Sequence, residues 1–242
     1  MIPTLAWWQW ALGAICAFQI GAAKTGLPGF GVLAIPLMVL TVGNARQSVG
    51  WMLPIMCVAD LLAIWYWRRN MAARKLFSLA PWMLAGMGIG AAALSLSEQI
   101  LRPMIGIIIF SMLLLYLYRR LRAPSPAAPH PALYGAAAGF ATTVANAAGP
   151  VMNLYLLSKR LPKEEFVATG AWFFFFVNVA KLPIYGWHGL FSRPSLTFDA
   201  ILIPAIVAGA YAGRYLLRVM PPRVFEILVI ALTVVATLLL FR

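Results

Sequence analysis

The sequence predicts an all-α polytopic membrane protein of two inverted structural repeats, each a broken or re-entrant helical hairpin followed by three transmembrane helices. Three observations predict it. Of 242 residues, 63% are hydrophobic and only 10% are charged, against roughly 25% charged in soluble domains. The apolar runs have span length and are separated by short, mostly basic loops. Two of the runs are interrupted: Gly21–Pro36 reads GAAKTGLPGFGVLAIP and Gly139–Pro150 reads GFATTVANAAGP. Interior glycine costs a helix about 1 kcal/mol and interior proline about 3. In hydrocarbon each freed backbone group also needs a partner, so such breaks belong where protein or a wet cavity meets them.

Charge narrows the class further. The formal net charge is +13, but the cations fall between apolar runs, which is a topology signal rather than a nucleic-acid face. The start, Met1–Trp10, has no basic n-region and no small-residue cleavage site, so no cleaved signal peptide is expected. Cys16 and Cys57 lie inside apolar runs and fit neither metal spacing nor a disulfide framework. No metal and no cofactor is expected.

In chain order, Leu5–Val42 is apolar but interrupted at Lys24–Gly31, with arms of about 18 and 12 residues against the roughly 20 needed to span. Ser48–Trp67 is a full span closed by Arg68, Arg69, Arg74 and Lys75. Leu76–Leu96 follows, then a turn at Glu98 and Arg102, then Pro103–Tyr118 and Arg119, Arg120 and Arg122. RAPSPAAPHP, Arg122–Pro131, is a proline-rich linker in which His130 reads as solvated. Leu133–Ser158 is broken around Asn146–Pro150, with arms of about 13 residues, short for a span at 1.5 Å per residue. Phe166–Tyr185, Leu196–Leu217 and Val224–Phe241 complete the spans. The organisation expected is an N-terminal repeat over 1–121, a cytoplasmic linker over 122–131 and a C-terminal repeat over 132–242, together one membrane domain.

The halves superpose in order. Gly21, Thr25 and Gly31 match Gly139, Thr143 and Gly149; Trp51, Pro81, Gly90 and Arg102 match Trp172, Pro204, Gly213 and Arg223. The offset drifts only from about 118 to about 123 residues, a duplication rather than a short solenoid period. Basic loops should face the cytoplasm. With Arg68–Lys75 inside, Arg119–Arg122 and Arg218–Arg223 fall inside, and Lys159–Lys163 does so if the second hairpin enters and leaves on one face. Three spans after a hairpin then invert the second half, a plan common in secondary transporters. Both termini are expected on the non-cytoplasmic side of a multi-pass protein of the cell inner membrane.

Three ionisable residues are read within apolar segments: Lys24, Asp60 and Lys181. A charge at the bilayer centre costs at least about 2.5–3.5 kcal/mol. Lys24 sits beside the first break, and Lys181 lies in NVAKLPIYG. Asp60 and Lys181 each follow a matched tryptophan, Trp51 or Trp172, by nine positions. Asp60 could instead neutralise one lysine, and Lys24 could snorkel to an interface. Thr25, Thr142, Thr143, Asn146, Asn153 and Asn178 accompany the lysines, and Gly29, Gly31 and Gly149 permit close backbone approach. Helix starts at the breaks would add N–H donors and positive dipole ends. Cations, donors and helix starts describe an anion site, with Asp60 as a coupling or ion-pair group. A cation site would want several carboxylates. The bland alternative for the threonines and asparagines is helix–helix hydrogen bonding. Trp7, Trp8, Trp10, Trp65, Trp67, Trp82 and Trp187 read as interfacial anchors, and Phe173–Phe176 as packing.

GAAKTGLPGFGVLAIPLM, the later run GFATTVANAAGPVMNLYLLSKRLPKEEFVATGAW, and VAKLPIYGWHG together resemble the sulfite exporter TauE/SafE family. The resemblance covers nearly the whole chain and includes the pair Lys181/Tyr185; the single glycine at Gly149 departs from relatives that show more. It implies export of sulfite, sulfoacetate or a related organosulfur or organic anion. The expected partners are that small anion and the lipid bilayer, with no nucleic acid and with a homo-oligomer left open. The expected mechanism is alternating access, with the anion held near the midplane between the two breaks by Lys181, Lys24 and the neighbouring hydroxyls and amides. An anion channel and a cation or metal permease are the alternatives. An enzyme is not expected: there is no GxSxG turn, no paired histidine and no cluster of acids.

Overall fold

The computed structural model of the chain describes residues 3–70, 76–93, 104, 106–114, 118, 130–145, 148–187 and 189–239. Backbone in lipid must satisfy its own hydrogen bonds, and the described residues accordingly form helices, with no strand among them. The helices are α1 (Trp7–Thr25), α2 (Ala34–Val42) after a 3-10 turn (Phe30–Leu33), α3 (Ala45–Trp67), α4 (Ala80–Ala93), α5 (Pro131–Ala145), α6 (Ala148–Ser158), α7 (Lys163–Trp187), α8 (Arg193–Val219) and α9 (Pro222–Leu239). Residues 106–114 are also helical. Among the described residues, Gln47–Trp67 of α3, all of α7 and all of α8 are long and apolar enough to cross a membrane. Only 106–114 and positions 104 and 118 of the expected span Pro103–Tyr118 are described. Arg74, Lys75, Glu98, Arg102, Arg119, Arg120, Arg122, Asn146, His188 and linker residues 123–129 lie outside the described residues. His130 is exposed and its Nδ1 accepts from the Ala132 N–H at 3.3 Å.

The chain divides into two compact units: Met1–Met71 with Lys163–Pro221, and Ala72–Pro162 with Pro222–Arg242. In the first unit α1 and α2 form a hairpin. Gln9 Nε2 donates to the Thr41 carbonyl at 2.8 Å, and Cys16 Sγ to that of Ala34 at 3.3 Å. The first arm runs further than the expected break at Lys24 allows. Thr25 Oγ1 bonds back to the Gly21 carbonyl at 2.9 Å and completes the last turn of α1. The break therefore opens at Gly26, whose N–H and that of Leu27 both return to the Ala22 carbonyl at 3.0 Å. Gly29, at φ +96°, makes the reversal in a conformation that side chains rarely adopt.

Helix α8 lies parallel to α1, at backbone distance. Gly13 faces Phe198, Gly21 faces the Ile206 carbonyl, and Gly26 faces Gly213. Phe198 packs between Trp10 and Trp51, with ring centres 5.1 and 5.0 Å away, in a core that includes Met38, Ile55, Leu202 and Ile206. Helices α3 and α7 run antiparallel: Gly50 lies against Leu190, just beyond α7, and Asp60 meets Asn178.

In the second unit α5 and α6 form a hairpin, with the rings of Tyr134 and Tyr155 5.6 Å apart. Here α4 lies parallel to α5. Gly139 faces the Met83 carbonyl, Gly86 that of Ala136, and Gly90 that of Phe140. These contacts repeat those between α1 and α8, where Gly21 faces Ile206, Gly209 faces Phe18 and Gly213 faces Ala22. Each pair of contacts is related by the same offsets that align the two halves of the sequence.

Two tryptophans correct the interfacial reading. Trp67 is buried, and its indole N–H donates to the Thr25 carbonyl at 2.9 Å. That carbonyl ends α1 and has no intrahelical partner. Trp10 is half-buried and stacks on Phe198. Trp7, Trp8, Trp65, Trp82 and Trp187 are exposed, as anchors would be.

Candidate functional site

The first unit buries charge where α1, α3 and α7 meet. Asp60 sits two turns before the end of α3, fully buried at 0% exposure. A carboxylate there needs donors and a counter-charge, and two elements supply them. From α7, Asn178 Nδ2 donates to Asp60 Oδ2 at 2.7 Å. From the last turn of α1, Lys24 Nζ comes to 2.8 Å of Asp60 Oδ1, in the geometry of an ion pair rather than of an aligned hydrogen bond. The same ammonium lies over the Phe174 ring, 4.2 Å from its centre, where the ring quadrupole favours a cation. Lys24 therefore pairs inward instead of snorkelling; its side chain is only 14% exposed.

Lys181 is one turn past Asn178 on α7, so Phe174, Asn178 and Lys181 share a helix face by their i, i+4, i+7 spacing. Lys181 is 4% exposed, and the charges of Lys24, Asp60 and Lys181 act on one another. Two residues later Pro183 interrupts the backbone ladder of α7, since it brings no N–H to the carbonyl a turn before it. The cluster thus lies beside the broken end of α1 and a weakened stretch of α7. It brings two lysines to one carboxylate, and two of its three helices, α3 and α7, are long and apolar enough to cross a membrane.

The other expected residues fall as follows. Thr25 is buried, and its hydroxyl is shared between the carbonyls of Gly21 at 2.9 Å and Ala210 at 2.7 Å, tying α1 to α8. Gly29 and Gly31 form the turn after α1, with Gly31 against Ala23. Thr142, Thr143, Gly149 and Asn153 belong to the second unit. Thr142 is buried, and Thr143 Oγ1 donates to the Gly139 carbonyl at 2.9 Å. Among the described residues, nothing lies within 4 Å of a Cβ built at Gly149. Asn153, one turn on, is buried with its Nδ2 unpartnered among the described residues. Pro150 stands in the first turn of α6, where no intrahelical N–H is lost.

Three charged residues were missed by the reading that placed only three within apolar runs; one, Glu226, stands near the start of α9, and the other two lie on α8. Asp199 of α8 is buried, and neither of its carboxylate oxygens has a hydrogen-bond partner among the described residues. Arg214, also on α8, holds its guanidinium 4.5 Å from the centre of the Tyr66 ring. Both stand in apolar sequence, SLTFDAILIP and AGAYAGRYLL, and a scan for charge within spans finds them. Lys163, counted as a basic loop residue, ends α8 instead: its Nζ donates to the carbonyls of Leu217, Arg218 and Met220. Cys16 and Cys57 are free thiols, and no group of three or more His, Cys, Asp or Glu with metal-holding geometry occurs among the described residues.

A protein-family model described as Sulfite exporter TauE/SafE matches residues 12–240. No curated protein and no solved structure matches the chain.

Proposed function

The chain belongs to the sulfite exporter TauE/SafE family of membrane transporters, and on that premise we propose that it exports a small anion, sulfite or a related organosulfur or organic anion, by alternating access. The observation that carries the reading is the buried cluster of Lys24, Asp60, Asn178 and Lys181, in which cations outnumber the carboxylate. Lys181 supplies the principal charge for the anion, Lys24 a second charge already paired with Asp60, and Asn178 an amide donor. Gly29 and Gly31 let backbone approach the solute at the break, and Thr25 fixes the end of α1 beside it. In the second unit Thr142, Thr143, Asn146, Gly149 and Asn153 are proposed as solute-binding residues on the same reasoning from helix breaks and donors.

The inverted-repeat arrangement is part of this proposal. It is supported by α3 and α7, which carry the matched Trp51 and Trp172 and run antiparallel. The proposal includes a multi-pass inner-membrane protein with both termini outside the cytoplasm, an orientation supported by the basic residues between its apolar runs. An inside-negative potential then favours anion exit by about 2.3 kcal/mol per charge per 100 mV. Flux of sulfite and methanesulfonate from proteoliposomes tests the function. Anion flux that is lost in Lys181→Met supports it, and flux that follows the accompanying cation refutes it.

A further inference from the structure

The C-terminal ends of α3 and α8 carry cations that anion transport through the buried cluster does not use. Those ends lie level with one another. Trp67, the last residue of α3, donates to the Thr25 carbonyl, and Gly26, next to Thr25, faces Gly213 of α8. Arg68 follows Trp67 and Arg214 follows Gly213, so the two arginines mark the same depth. Arg214 also reaches across to α3. Its guanidinium lies 4.5 Å from the centre of the Tyr66 ring, and that ring lies 5.1 Å from the ring of Trp65.

Each helix shows the same order of side chains inward from its arginine. On α3 the order is Arg68, Trp65, Leu61; on α8 it is Arg214, Tyr211, Val207. The i, i+4, i+7 spacing puts each set on one helix face. Arg68, Trp65, Leu61, Tyr211 and Val207 are exposed. Such a set rises about 10 Å along the helix, and the polar layer on each side of the hydrocarbon is about 5–8 Å thick. Each stripe therefore runs from a charge, past a ring of the kind that settles at headgroup level, into apolar surface.

The chain's own acids do not answer these arginines. It has 19 Lys and Arg against 6 Asp and Glu. In the first unit Asp60 is held by Lys24 and Asn178. Glu164 and Glu165 begin α7, with Glu164 3.9 Å from Lys163. Asp199 stands about 22 Å back along α8 from Arg214. No ion pair among the described residues uses Arg68 or Arg214, and Arg214 Nε is buried with no hydrogen-bond partner among them.

We propose that the level ends of α3 and α8 bind the headgroup of an anionic phospholipid: Arg68 and Arg214 take the phosphate, Trp65 and Tyr211 flank the glycerol, and the acyl chains follow Leu61 and Val207. The guanidinium fork matches phosphate oxygens in pairs, and basic sites between spanning helices on the cytoplasmic side suit acidic lipid headgroups. In the orientation proposed above, this end faces the cytoplasmic leaflet. A free oxyanion would use the arginines alone; the rings and apolar residues beneath them select a lipid. The site rests on the membrane reading and is independent of the anion reading.

Native mass spectrometry of the full chain tests it, from mixed micelles holding equal amounts of dioleoylphosphatidylglycerol and dioleoylphosphatidylcholine. The two lipids share their acyl chains and differ in headgroup charge. Wild type retains phosphatidylglycerol at least tenfold over phosphatidylcholine. Arg68→Gln/Arg214→Gln lowers that ratio at least fivefold. Arg68→Gln alone, at an exposed position, lowers it at least threefold and decides the matter if the double variant does not fold. Arg160→Gln, at an exposed cation of the second unit, stays within twofold of wild type. Prior incubation with excess inorganic phosphate leaves the bound lipid in place. Wild type without a preference overturns the site, as does an Arg68→Gln or double-variant ratio within twofold of wild type. An Arg160→Gln loss as large as that of Arg68→Gln also overturns it, by showing diffuse attraction to basic surface. Displacement of the lipid by phosphate assigns the arginines to a free oxyanion and overturns the lipid assignment.

Discussion

Helix α1 should be held in place by the absence of a side chain at Gly21. A Cβ built there meets the Ile206 carbonyl oxygen and the Ala210 nitrogen, both backbone atoms of α8. Backbone cannot rotate aside, so Gly21→Ala must push the two helices apart. Overpacking of this kind costs about 1–3 kcal/mol. The separation also strains the Thr25–Ala210 hydrogen bond, 2.7 Å long and one turn away, worth about 1 kcal/mol. Alanine's better helix propensity returns about 1 kcal/mol. The net expectation is a loss of about 1–3 kcal/mol. Gly88 of α4 provides the control, because nothing among the described residues lies within 4 Å of a Cβ built there. Gly88→Ala should be neutral or gain up to about 1 kcal/mol from propensity alone. Reversible unfolding of both variants in mixed micelles measures the contrast, which should be about 1–4 kcal/mol. Equal stabilities, within about 0.5 kcal/mol, would refute the close-packing argument. Lys24 lies one turn beyond Gly21, so Gly21→Ala should also weaken anion binding.

Asp199→Asn should leave stability unchanged or improve it, because the buried carboxylate has no donor to lose among the described residues; a drop above about 2 kcal/mol in the same unfolding assay would show a bond that matters. Lys163→Met should cost about 1–2 kcal/mol, since its ammonium serves three carbonyls at the end of α8. An unchanged unfolding midpoint would remove that role.

The breaks were legible because glycine and proline are costly in lipid-crossing helix, and both sequence interruptions coincide with hairpins between helices. Where the first arm ends was less legible. Helix propensity and the glycine run suggested Lys24, but a side-chain bond from Thr25 carries α1 one residue further. The sequence offers the repeat as an ordered series of weak matches. What those matches do was not: Gly21, Gly90, Gly139 and Gly213 are helix-contact positions, and their roles depend on neighbours from the other half of the chain.

At the site, burial of Lys24, Asp60 and Lys181 followed from charge in apolar sequence. Which lysine pairs with Asp60 did not follow. The pairing depends on the tertiary placement of α1 against α3, and on Phe174, which sequence alone assigns to packing. Asn178 was found as a polar residue in a span, but its partner is set by the antiparallel meeting of α3 and α7. Asp199 and Arg214 were readable by the criterion that found Lys181, and were passed over because the run around them was taken whole as a span. Trp67 shows the converse. Its place at a span end suggests an anchor, while an orphaned carbonyl at the end of α1 draws its N–H inward.

The central claim is that the buried positive charge in the first unit is what the anion meets. Methanesulfonate flux through proteoliposomes carrying Lys181→Met, set against wild type and with folding of both checked by thermal unfolding, measures it most directly. The account predicts flux reduced to background in a folded variant. Flux within twofold of wild type from that variant would contradict it.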